Sequence, residues 1–548
     1  AQLGAGPGAL TRDATPERLA AALAAVGELR RGLGAYAAAD DTLARAVSLF
    51  GAREDESLDA VDAIHEWGLV ALDRGDIGRA DSLLQHAMER RVRRLGPDHE
   101  RVAPSLIALS GVRTQQGLPG ESMRLADRAL ELLERRYGDA DTRLVPALQA
   151  LADSYSWMGD WPRALDLLNR AVRLAERSAL PPAATGALLH SLGALRGAGG
   201  DGAGADEYFR RAIRQRERTL GDRHPLVALA RQQLGHVYRE SGDAASAEWL
   251  YRRALRDLEP AFGPTSYALA PSLMGLALTL GDRRQHEEAE RTALRSLALT
   301  RAHYGESHLN TVLAMYHLVA LAQQRGDREG ELRWATEVLP ARERMTTLVL
   351  RGGAERQKQQ ILRWDAGMTS NLVGMHLRTR PEDERLAHLA LTELLRRKGR
   401  VLDVMAQQMS LLRRRDDPRS RPLLDTLLAL RGRLASLVWS DGGSGTTGEF
   451  AALRDRAERL EAEASHLTAA VGGADGPIAL DAVQRAIPPG GALVEFVEYR
   501  PFDPQARMPV DRWGAPRYGA YVLRRDGPPR AVDLGETRRV NRDIQHLR

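Results

Sequence analysis

Residues Leu234 to Leu255 read LGHVYRESGDAASAEWLYRRAL. A Gly-Asp turn at Gly242 separates two stretches of helical character. Seven residues before the turn stands Gly235, with Leu234 beside it. After the turn come Ala247 and Ala254, also seven apart. Seven residues span about two helical turns, so the two alanines share one helix face. Small residues on both sides of a turn let two antiparallel helices approach closely, and glycine supplies the positive φ that the reversal needs. The stretch predicts one helix hairpin.

The same pattern recurs along more than half of the chain. Turn glycines stand at Gly34, Gly75, Gly117, Gly159, Gly200 and Gly242, spaced by 41, 42, 42, 41 and 42 residues. One further slot holds Arg284, 42 residues after Gly242 and 42 before Gly326. Seven residues before each turn is Gly27, Gly68, Ser110, Ala152, Gly193, Gly235 or Ala277, always small. A second marker separates successive hairpins: LGPDHERVA from Leu95, YGDAD from Tyr137, LGDRHPLVA from Leu220, FGPTSYALA from Phe262 and YGESHLNTV from Tyr304. There glycine ends one helix, and Pro, Asp or Ser starts the next. So many positions in register predict a mainly α protein, a right-handed solenoid of helix hairpins. The eighth copy departs, with Val319, Glu331 and Val338 at positions that are small elsewhere, and is expected to cap the array.

These residues resemble the tetratricopeptide repeat, in the longer form found in kinesin light chains. The resemblance covers about residues 15 to 345, after an N-terminal tail at 1–14. It implies a concave groove that binds a protein or peptide. By repeat position the groove should be lined by His65, Gln149, Asp153, His190, Gln232, His236, Arg239, Tyr316 and Gln323. The plain alternative for each is an ordinary solvated helix-face residue. Arg239→Glu is expected to weaken partner capture without lowering the melting temperature.

Composition narrows the function classes. The chain has 548 residues, 43% hydrophobic and only 5% aromatic. It carries 78 basic and 73 acidic residues, a net charge of +5, too balanced to make nucleic acid the expected partner. There is no cysteine, which removes disulfides, thiolate metal sites and a cysteine nucleophile from these residues. No apolar run reaches the ~18 residues that span a membrane, and a cytoplasmic location is expected.

Other motifs carry little. His99, His224 and His308 share the slot between hairpins, in three different repeats, where starting a helix explains them better than metal does. HEEAE at His286 lacks the second histidine of a zinc-protease helix. GAGGDGAGA (Gly197–Ala205) and GGSGTTGEF (Gly442–Phe450) lack the lysine of a phosphate loop. The arginine runs at Arg90–Arg94 and Leu411–Arg421 read as solvated. No cofactor, metal or catalytic group is predicted.

The 42-residue phase stops near Thr346. Helices are expected over Leu389–Arg415, Leu423–Trp439 and Glu449–Leu467, then a short helix at Leu480–Ala486 and a strand at Leu493–Tyr499. Tyr521–Leu523, the turn Asp526–Pro529 and Ala531–Leu534 read as a β-hairpin.

The segments ELLRRKGRVLDVMA, LLDTLLALRGRLASL, DAVQRAIPPGGALVEFVEYRPFD and WGAPRYGAYVLRRDGPPRAVDLGE resemble the opening of a CHAT domain, a caspase-like domain fused behind such arrays in bacteria. The resemblance implies a helical lead-in at 346–476 and the first strands of a truncated α/β domain at 477–548. Active members of that family are cysteine endopeptidases with a His–Cys dyad. His466 and His546 lie in the wrong context for it, so the chain as given should be catalytically silent. The reading is a scaffold or sensor that regulates an attached peptidase domain, with a pure scaffold carrying a degenerate CHAT domain as the alternative. A nucleic-acid-binding repeat protein is the weaker third reading.

Overall fold

A computed structural model of the chain describes residues 15–51, 57–177, 182–352, 366–397, 479–506 and 509–547, with single helical positions between 422 and 460. The tail at 1–14, the loop at 442–450, the arginine run at 411–421 and most of the helices expected between 398 and 478 lie outside the described residues. Two compact units divide at residues 303 and 304.

The first unit is a series of helix hairpins. The pairs are α1 (Pro16–Gly32) with α2 (Tyr36–Gly51), α3 (Leu58–Arg74) with α4 (Ile77–Leu95), α5 (Ala103–Gln115) with α6 (Pro119–Tyr137), and α7 (Val145–Trp157) with α8 (Trp161–Arg177). Three more follow: α9 (Pro182–Ala198) with α10 (Gly202–Leu220), α11 (Pro225–Glu240) with α12 (Ala244–Phe262), and α13 (Ala270–Asp282) with α14 (His286–Tyr304). Odd-numbered helices touch one another in series, from α1 to α3 and on to α13. They form the inner layer, and the even helices lie outside it.

Two kinds of turn build the solenoid. Within a pair, Gly75 sits at φ 78°, ψ 14°, its N–H donating to Leu72 O (2.9 Å) while Asp76 N–H donates to Ala71 O (2.9 Å). That pair of hydrogen bonds closes the first helix, and the aspartate opens the second. Asp76 accepts from Arg79 N, Asp201 from Gly204 N and Asp243 from Ser246 N. Between pairs, Gly96, Gly138, Gly221 and Gly263 take φ between 80° and 90° with ψ between 156° and 175°. Only glycine is at ease there. The next residues cap the following helix: Nδ1 of His99, His224 and His308 accepts from the N–H two residues on, at 3.1–3.2 Å. The histidines start helices.

Notches and knobs hold each pair together. A Cβ added at Gly68 would lie 2.7 Å from Leu84 Cγ, and one at Gly193 would lie 2.9 Å from the Phe209 ring. Gly27 faces Leu43 and Gly235 faces Tyr251 in the same way. Where the notch residue is larger, as at Ser110 and Ala277, the residue 16 positions on is Ala126 or Ala293. Ala152 with Leu168 is the exception. The seven-spaced alanines, Ala247 and Ala254 among them, are wholly buried.

The first unit also closes on itself. His224 Nε2–H donates to the Gly32 carbonyl, 192 residues away, at 3.2 Å. Tyr36 stacks on Phe262 at 5.1 Å. Tyr267 donates to Gln115 Oε1 at 2.9 Å and presses its ring against Gly75. A separation of 192 residues at 42 per pair brings the spiral back after between four and five pairs.

The second unit begins with the eighth pair, α15 (Leu309–Arg325) and α16 (Arg328–Gly352). A helical run at 366–379, ending in a π turn at Met375–Thr379, and α17 (Glu384–Arg397) follow. Later come α18 (Leu480–Ala486), β1 (Ala492–Tyr499), β2 (Arg517–Arg524), β3 (Arg530–Glu536) and α19 (Thr537–Leu547). The strands form an antiparallel sheet in the order β1-β2-β3, with Tyr521 opposite Glu495 and Ala531. The expected hairpin is β2 and β3. Buried Glu331 pairs with Arg380 at 2.8 Å, and buried Arg342 pairs with Glu393. The odd residue of the eighth repeat thus faces a following helical segment, where a cap would face water. The inward side of the sheet meets the 366–379 run, with His376 Nδ1 2.9 Å from the Tyr521 hydroxyl. Its outward side exposes Val494, Phe496, Val532 and Leu534.

Candidate binding surface

The inner layer of the first unit carries seven of the nine expected groove residues. They differ sharply in what surrounds them. Gln232 is buried, its Oε1 accepting from Ser272 at 2.7 Å, a bond between α11 and α13. Arg239 is also buried and ion-paired with Glu240 and, at 3.8 Å, with Asp282. A charge reversal there would leave acids facing acids in a dry site, so Arg239→Glu does not separate binding from stability. His65 is 6% exposed, with Nδ1 lacking a hydrogen-bond partner; burial, then the charges of Arg91 and Arg31, push its pKa to about 3. Tyr316 and Gln323 belong to the second unit. There Arg342 donates to the Tyr316 hydroxyl at 3.2 Å, and Gln323 Nε2 donates to Asn371 Oδ1 at 3.2 Å.

Gln149, Asp153, His190 and His236 are open, in whole or part, to the inner space. Gln149 and Asp153 lie four apart on α7 and share its inner face. His190 stands edge-on to Phe209 at 5.5 Å, with Arg216 Nη1 3.5 Å from Nδ1. Arg216 itself donates to the Leu226 carbonyl at 2.8 Å. Desolvation, then Arg216, push the His190 pKa to about 3. His236 is lowered too, first by desolvation and then by Arg239. Asp153 is exposed, yet the surrounding repeats strip away enough water to push its carboxyl up to about 7. Near pH 7 the exposed inner face between α7 and α11 therefore holds neutral histidines and one carboxyl near its midpoint.

The residues in register with that carboxyl on the neighbouring inner helices are small. At the position of Asp153 in the neighbouring pairs stand Gly111 and Ala194. Ala194 is exposed. Sequence periodicity located this layer but not the seam between distant loops, for which Tyr36, Phe262 and Tyr267 gave no separate signal. Among the described residues no group of His, Asp and Glu is placed to hold a metal, and no helix is long and apolar enough to cross a membrane.

Comparison with known proteins agrees with the periodicity. Residues 59–135 and 184–259 match a tetratricopeptide-repeat family model, and 269–310 match a second one. The chain carries tetratricopeptide repeats. Among solved structures it is similar to BtubC (BKLC) from P. vanneervenii, at 20% identity over 41% of this chain and 90% of that one, TM-score 0.35. The structure of the nearly identical TPR-like repeats of a Podosopora anserina putative kinesin light chain gives 19% identity over 38% and 98%, TM-score 0.29. A Rap protein complexed with competence and sporulation factor gives 16% identity over 56% and 80%, TM-score 0.45. No curated relative matches the chain.

Proposed function

We propose that the chain is a protein-interaction scaffold whose repeat array, residues 15–345, binds an extended peptide segment of a partner along the inner layer of α5, α7, α9 and α11. The observation that carries this reading is the pair of small residues Gly111 and Ala194, in register with Asp153 on the neighbouring inner helices, beside the polar side chains of Gln149, Asp153 and His190. Small residues there leave room for a ligand's side chains, and fixed polar groups beside them supply orientation. The test is a random peptide library panned on the full chain. Ala194→Trp fills that room from an exposed position and is expected to abolish capture at unchanged melting temperature. Arg211→Trp, on an outer helix, is expected to leave capture intact. Capture that survives Ala194→Trp would move the binding surface elsewhere.

We further infer that residues 346–548 open a CHAT-type domain, through which partner binding governs a caspase-like peptidase whose His–Cys dyad is carried outside these residues. Support comes from the sequence resemblance and from a sheet whose outward side bears Val494, Phe496, Val532 and Leu534, the kind of apolar face that a covering layer buries. Sequencing the gene past the codon for Arg548 tests it. A strand-end His followed by a strand-end Cys supports a peptidase. Their absence from a continuing α/β segment leaves a scaffold with a degenerate domain.

A further inference from the structure

Given that the inner layer is the ligand surface, one of its residues sets what that surface holds. Several buried or half-buried acids elsewhere in the first unit are matched by arginine. Arg31 takes Asp73 at 2.7 Å and Glu66 at 3.4 Å, Arg91 and Arg101 take Asp62, and Arg231 takes Asp257 at 3.0 Å. Asp153 has no hydrogen bond or ion pair within the described residues. Burial alone raises its carboxyl, and no arginine of the neighbouring helices acts on it. On α5 the inner face brings Ile107, Gly111 and Gln115, and Arg113 is held by Asp81 and Glu121. On α8, Arg163 is held by Asp160. On α9 the inner face brings His190 and Ala194, and Arg216 beyond them is engaged with the Leu226 carbonyl. Gly111 and Ala194, the flanking residues in register, are small and leave room beside the carboxylate for a ligand's side chain.

A carboxylate so placed is poorly solvated and unpaired, which costs free energy whenever it is ionised. A cation delivered by a ligand removes that cost. We propose that Asp153 anchors a cationic side chain, arginine or lysine, of a peptide segment lying along the inner layer. A guanidinium meets the carboxylate through two parallel N–H···O bonds, and lysine does so as a point charge. His65 and His190, neutral at pH 7, do not repel the incoming cation. A neutral or acidic side chain at that place leaves the carboxylate unpaired.

The experiment uses the full chain, a random peptide library and two variants, Asp153→Asn and Asp153→Ser, each checked for an unchanged melting temperature. Peptides retained by the wild type at pH 8 are expected to carry Arg or Lys at one fixed position. Replacing that arginine by citrulline should weaken binding about tenfold or more, and the difference should vanish in both variants. Wild-type binding should also fall from pH 8 to pH 6, as the Asp153 carboxyl, with its pKa of about 7, takes up its proton. Retained peptides with no fixed basic position, or an equal citrulline effect in the variants, overturn the anchor while the groove stands. Failure to retain any peptide overturns both.

Discussion

Arg284 stands in a turn that glycine holds in the other pairs, at φ 62°, the one non-glycine residue with positive φ among the described residues. Left-handed backbone costs an ordinary L-residue roughly 1–2 kcal/mol, and glycine returns about 0.5–1 kcal/mol of that as unfolded-state entropy. Arg284→Gly is therefore expected to stabilise the protein by up to about 1 kcal/mol. The turns between pairs are stricter. Gly221, at φ 90° and ψ 156°, occupies backbone space that side chains scarcely enter, so Gly221→Ala should cost about 1–3 kcal/mol. Chemical denaturation of both variants checks the pair. An Arg284→Gly variant less stable than wild type would contradict the strain argument.

Between elements, stability rests on matched volumes. Gly68→Ala would ordinarily gain helix propensity, about 1 kcal/mol, but its Cβ meets Leu84 at 2.7 Å. Overpacking of this kind costs about 1–3 kcal/mol, so a net loss is expected. Combined with Leu84→Ala the notch becomes like Ser110 with Ala126, and the double variant should lose clearly less than the two single losses together. Additive losses would mean that the two side chains do not share the notch. The seam gives a second comparison. His99→Ala and His224→Ala both remove a helix cap, worth about 1 kcal/mol, but only His224 also holds the Gly32 carbonyl. His224→Ala should cost about 0.5–1.5 kcal/mol more. Equal losses would argue against the seam.

These examples also mark how far the sequence could be read. Hairpins, turn glycines, small-residue faces and the C-terminal β-hairpin were legible because each depends on residues within one 42-residue period. Burial of Gln232 and Arg239 was not legible. Repeat position places both on the inner side, but Ser272 and Asp282 of the next pair decide that they are engaged. The seam was further out of reach. His224 meets Gly32 only after the small rotation per repeat has accumulated over between four and five pairs, and no local pattern encodes that sum. Glu331 looked like a terminal deviation because Arg380, which pairs with it, lies 49 residues on, beyond the last repeat.

For the whole molecule, the proposal to be tested is that the inner layer of the first unit is the binding surface. Hydrogen–deuterium exchange on the full chain, free and with a library-selected peptide, tests this most directly. Added protection is expected in α5, α7, α9 and α11, strongest around Gln149–Asp153 and His190–Ala194, with α6, α8 and α10 changing little. Protection confined to the even-numbered helices, or to the sheet of β1, β2 and β3, would contradict the account.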